Sequence, residues 1–157
     1  MRRLLAGLLL LTLAGCSAKQ APDEPFVLID GRTLTSTDLR HGPVLVNFWA
    51  TSCATCIQEI PDLVTLHKDY ADKGLTIIGV AMPYDPPDLV VRFAQERQLP
   101  YPIALDVQAR QVRAFGDIKA TPINILIDRQ GRIVERHIGR LNLADTQNKI
   151  EQLLKEG

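Results

Sequence analysis

Val44-Leu45-Val46-Asn47-Phe48-Trp49 is the stretch that most narrows what this chain can become. It is apolar but for Asn47 and rich in β-branched and aromatic side chains, which suits a central strand covered on both faces. A few residues on, the period changes. From Cys53 to about residue 71 the apolar positions recur at helical spacing, with Cys56, Ile60, Leu63 and Tyr70 on one stripe. Glu59, Asp62, Lys68 and Asp69 fall off that stripe, and Glu59 reads as a solvated helix residue. Pro61 predicts a kink, and Lys73-Gly74 a stop. A covered strand that runs into an amphipathic helix calls for a layered α/β architecture.

The rest of the chain fits that frame. Phe26-Val27-Leu28-Ile29 before Asp30-Gly31 reads as a short strand and turn, and Ser36-Thr37-Asp38-Leu39 as a brief helical turn. Residues 75–81 form a second buried strand, and a proline-rich loop then opens a helix from Pro87 or Asp88 to about Gln98. Ile103-Ala104-Leu105 is a short strand, and residues 108–115 a helix stopped by Gly116. Residues 123–127 and 132–138 form a hairpin about Asp128-Arg129-Gln130-Gly131, and residues 143–154 a closing amphipathic helix. The expected fold is a mixed β-sheet with helices on both faces and a short N-terminal β extension.

The first residues belong to targeting. Arg2 and Arg3 precede an apolar run at 4–13, about half the ~20 residues a spanning helix needs. Leu13-Ala14-Gly15-Cys16 resembles a bacterial lipobox, which implies lipidation of Cys16 and attachment to a membrane. Ser17, rather than Asp, after the cysteine tilts sorting toward the outer membrane. Residues 1–15 are thus expected to be a signal peptide, 16–25 a tether and 26–157 one folded domain. The eighteen basic and eighteen acidic side chains balance without a basic patch, so nothing favours a nucleic-acid partner.

With Cys16 set aside, two of the three cysteines remain, Cys53 and Cys56. Spaced three apart at a strand-to-helix junction, they have the context of a redox Cys-x-x-Cys pair. Cys53 falls where unpaired N–H groups and the helix dipole favour a thiolate, the attacking form. Cys56 lies one turn deeper on the apolar face and reads as the resolving thiol. In the expected cycle, Cys53 attacks a partner disulfide and Cys56 then releases the reduced partner.

Val46-Asn47-Phe48-Trp49-Ala50-Thr51-x-Cys53-x-x-Cys56-x-x-Glu59-x-Pro61 resembles the active-site stretch of the TlpA/ResA-like branch of the thioredoxin superfamily. Thr121-Pro122, Asp128-x-x-Gly131 and Gly139 extend the likeness over residues 26–154. The resemblance implies a thioredoxin-like fold and a cis bond before Pro122, packed against the cysteines. It implies that the backbone at Thr121 pairs with a bound peptide and that Trp49 forms a platform beside the site. Asn47 replaces the buried carboxylate of thioredoxin proper, and Asp85 aligns roughly with an acid that this branch places after the next strand, a candidate proton acceptor near Cys56. A reductase role is implied, of the cytochrome c maturation or disulfide-repair type. The partners would be exported proteins with cysteines or disulfides and a membrane electron-donor thiol protein. No cofactor is expected beyond the Cys53–Cys56 disulfide.

Two other readings use the same dithiol. A peroxiredoxin-type peroxidase would want Thr three residues before its attacking cysteine, where Ala50 stands before Cys53. A copper-handling lipoprotein could hold Cu(I) on two soft thiolates, but no histidine is suitably placed. His41, His67 and His137 are scattered, and a zinc site would need two more ligands.

Overall fold

The structure is a computed structural model, and it describes residues 19–156. The expected signal peptide, Cys16 and the start of the expected tether lie outside the described residues. In order, the elements are β1 (Phe26–Val27), β2 (Thr33–Leu34), β3 (Val44–Trp49), α1 (Ala54–Tyr70), β4 (Thr76–Ala81), α2 (Pro87–Glu96), β5 (Ile103–Leu105), α3 (Arg110–Ala114), β6 (Ile123–Ile127), β7 (Ile133–Ile138) and α4 (Leu143–Lys155).

The main sheet runs β5-β4-β3-β6-β7, and β1 and β2 form a separate antiparallel pair. β3, β4 and β5 are mutually parallel, joined by crossovers that carry α1 and α2. β6 and β7 are added antiparallel. Mixed pairing with helical crossovers gives the fold expected from the sequence, a mixed sheet between helices.

β3 is central, and all six of its residues are buried. Its side chains alternate between faces, as a strand requires. Leu45 and Trp49 join the core beneath α1, α2 and α4, with Leu63, Leu66, Ile77 and Ile150. Val44, Val46 and Phe48 join the opposite core, with Ile78, Ile125, Phe26 and Phe115. Each such side chain contributes about 1.5–3 kcal/mol through burial. Gly42 is required where the chain enters β3, because a Cβ there would collide with the backbone carbonyl of Gly74.

Two expectations are corrected. α3 starts at Arg110, not residue 108, because Ala109 adopts a left-handed conformation (φ 55°). Asp106 then accepts bonds from the Gln111 and Val112 N–H groups, satisfying donors at the helix start. The second concerns the tether. Its described part, residues 19–25, lies on the domain rather than hanging from it. The Ile133 N–H donates to Lys19 O and the Ala21 N–H to Gly131 O, both at 2.8 Å. Gln111 Nε2 holds the carbonyls of Glu24 and Pro25, each at 3.0 Å. α1 continues through Pro61 to Tyr70.

Candidate active site

The chain leaves β3 at Trp49 and turns at once. The Cys53 N–H donates to Ala50 O at 3.1 Å, closing a tight turn. Cys53 is the N-cap of α1 in an extended conformation (φ −90°, ψ 101°), and its sulfur accepts the Cys56 N–H at 3.2 Å. An N-cap normally uses a side-chain oxygen for this donor; here the sulfur takes its place. Cys53 and Cys56 are joined in a disulfide, with Cα atoms 5.2 Å apart. Cys53 is half-buried whereas Cys56 is only 2 % exposed. The pair thus has an accessible sulfur and a sheltered one.

Asp85 holds the turn from the side. It follows β4, and its carboxylate accepts both the Thr51 N–H and the Thr51 Oγ–H, each at 2.6 Å. Next to it, the Met82 N–H donates to Trp49 O at 2.9 Å. Asp85 thereby fixes the backbone two residues before Cys53. Both of its oxygens are engaged by Thr51, and it makes no hydrogen bond to Cys56.

Trp49 is not an open platform. It is 3 % exposed, packs with its ring centroid 5.4 Å from Phe93, and shares a core with Cys56. The indole lies over Gly79, where a Cβ would fall 3.1 Å from Nε1 and 2.9 Å from Ile103. Trp49 therefore supports the cysteine turn from beneath.

The Thr121–Pro122 bond is cis. Pro122 is buried and Thr121 half-buried, and the Gly139 N–H donates to Pro122 O at 2.9 Å. This loop leads into β6, whose Ile123 pairs with Phe48 of β3, so it stands at the end of the sheet from which the cysteine turn emerges.

Glu59 overturns the sequence reading. It is 0 % exposed, not solvated. Oε2 accepts from Asn47 Nδ2 at 2.9 Å, and Oε1 accepts from Asn124 Nδ2 at 2.8 Å and from the Leu141 N–H at 2.6 Å. Asn47 also donates to Asn124 Oδ1 at 2.9 Å. Burial pushes the Glu59 carboxyl above its ordinary range, against the opposing pull of these donors. The group sits one helical turn below Cys56, and it ties α1 to β3, β6 and the chain before α4. The clue lay in the strands. Asn47 and Asn124 each interrupt an apolar run and face each other in register, and buried amides demand partners.

Among the described residues, no group of three or more His, Cys, Asp or Glu is placed to hold a metal ion, and no helix is long and apolar enough to cross a membrane.

Comparison with known proteins agrees with this geometry. The family model described as Redoxin matches residues 17–154. The chain is 32 % identical over 139 residues to the thiol-disulfide oxidoreductase ResA of Bacillus thuringiensis (strain Al Hakam), spanning 88 % of this chain and 76 % of that protein. It is 29 % identical to the thioredoxin-like protein YneN of Bacillus subtilis (strain 168), over 96 % of this chain and 98 % of the relative. Among solved structures, a thioredoxin-family thiol:disulfide interchange protein from Chlorobium tepidum TLS superposes with a TM-score of 0.81 at 29 % identity, covering 90 % of this chain and 99 % of the other.

Proposed function

The chain belongs to the Redoxin family and is a thiol-disulfide oxidoreductase of the ResA type, and on that premise we propose that it reduces disulfides of exported proteins while tethered outside the cytoplasm through a lipid on Cys16. The observation that carries this reading is the unequal pair at the head of α1: Cys53 half-buried at the N-cap, Cys56 sealed one turn deeper.

That inequality sets the order of events. In the reduced protein, the Cys53 thiolate is supported by the helix-start N–H groups and attacks a partner S–S bond, expelling one partner thiolate. The mixed disulfide so formed is at the sulfur a visitor can reach. The Cys56 thiolate then attacks Cys53 Sγ, closing the Cys53–Cys56 bond and releasing the second partner thiol. Two electrons pass to the partner, and a membrane thiol protein restores the dithiol. Thr121 offers backbone for a bound segment beside Pro122, and Asp85 acts as a positioning residue through Thr51. Cys56 must shed its proton inside the core. Glu59, buried one turn away and displaced toward its neutral form, is a group able to hold a proton there.

The reductase assignment is tested by the reduction potential of the Cys53–Cys56 couple, equilibrated against glutathione or dithiothreitol. A reductant should poise near the thioredoxin value of about −270 mV; a value near the roughly −120 mV of a strong oxidant would overturn the direction proposed.

A further inference from the structure

The docked N-terminal segment relates the tether to the redox site. Its start is fixed by the Gln20–Arg132 bridge, at the hairpin that joins β6 to β7. That hairpin lies beside the beginning of β3, since Ile127 pairs with Val44. The cysteine turn leaves the other end of β3. A six-residue strand is about 20 Å long, so the docking point and Cys53 sit at opposite ends of the sheet. From Gln20 the segment crosses one face of the sheet. Gln111 grips Glu24 and Pro25, Phe26 packs on Phe115 at 6.3 Å, and Leu28 bridges to Ala104 of β5. It is a strap bound at both margins of the sheet.

We propose that this strap orients the protein on the membrane, with the hairpin end facing the lipid surface and the Cys53 end facing away. The inference rests on the attachment at Cys16 proposed above. Only three residues lie between Cys16 and Gln20, four residue steps with a reach of at most about 14 Å. A domain held so closely cannot tumble freely, and the end that is bound first lies next to the bilayer. The redox site is then presented to partners that extend into the aqueous compartment, the thiol-bearing part of the membrane donor among them, and thiols at bilayer level are out of its reach.

The test uses full-length protein extracted from membranes and reconstituted into phosphatidylethanolamine–phosphatidylglycerol vesicles with a nickel-chelating lipid. In a Cys53→Ser, Cys56→Ser background, a nitroxide is placed at Arg129→Cys or at Ala120→Cys. Relaxation by surface nickel should be at least threefold stronger at 129 than at 120. Equal relaxation, or a stronger effect at 120, in protein that floats with the vesicles overturns the orientation while leaving the anchor intact. Protein that does not float overturns the anchor, and the orientation with it. Adding Ala21→Pro and Gln111→Ala, which remove bonds of the strap, should erase the contrast without releasing the protein. A contrast that survives would show that the strap does not set the orientation.

Discussion

Asn47 and Glu59 meet across the core, amide to carboxylate at 2.9 Å, linking the central strand to the helix that carries both redox cysteines. Three donors converge on this one carboxyl. Glu59→Ala would orphan the buried Leu141 N–H and take one bond each from the Asn47 and Asn124 amides, which keep Asn124 Oδ1 and Gly139 O as acceptors. At about 1–3 kcal/mol for an orphaned group and about 0.5–1.5 kcal/mol for each lost bond, the expected loss is roughly 2–6 kcal/mol, measured by urea unfolding of the oxidised protein.

The same carboxyl makes stability depend on pH. Its folded pKa lies above the ordinary 4.5 because burial disfavours the charge. The folded chain therefore keeps a proton that the unfolded chain releases. The associated stability is fully present below the unfolded value and is lost as pH rises through the folded value. Glu59→Gln cannot titrate. Thermal midpoints from about pH 4 to pH 8 should fall for the wild type relative to Glu59→Gln, and parallel curves would exclude the effect.

The exposure difference between Cys53 and Cys56 predicts selective chemistry. In the reduced protein at neutral pH, iodoacetamide should modify Cys53 at least tenfold faster than Cys56, read by peptide mass mapping. Cys56→Ala should accumulate mixed disulfides with client proteins on non-reducing gels, since nothing remains to resolve them, whereas Cys53→Ala should not.

The clamp of Asp85 on Thr51 should behave as one unit. Asp85→Ala and Thr51→Val are each expected to slow insulin reduction severalfold, and the double variant should be little worse than the poorer single one. A coupling of about 1–2 kcal/mol is reasonable for a charge-assisted bond. Additive losses would mean that the two residues act separately.

Gly79 carries a packing prediction. A Cβ at this position meets Ile103 at 2.9 Å and Trp49 Nε1 at 3.1 Å. Gly79→Ala should cost about 1–3 kcal/mol through overpacking. It should also shift the emission of Trp49, the single tryptophan, without removing the cysteine turn.

Much of this was legible before any coordinates. The buried strand at 44–49, the helix start at Cys53 and the cis bond before Pro122, implied by family likeness, all stand in the structure. What escaped was whatever depends on pairing between distant segments. Glu59 reads as solvated because helical periodicity sorts side chains by polarity, whereas its surroundings are made by Asn47, Asn124 and Leu141, up to 82 residues away. The support role of Trp49 is equally invisible, since it depends on the bare backbone of Gly79 in the neighbouring strand. Residues 19–25 look like spacer because their docking uses main-chain groups and Gln111, which leave no hydrophobic pattern.

The route of that strap also matters for solubility. An open five-stranded sheet has two free margins, and unpaired strand edges invite addition of a strand from another molecule. Here one end of the strap pairs at Arg132 and Ile133, where β7 begins, and its far end pairs with Ala104 of the edge strand β5. A single segment thus covers one point on each margin, and a chain trimmed back to Phe26 would leave the start of β7 unguarded and prone to self-association.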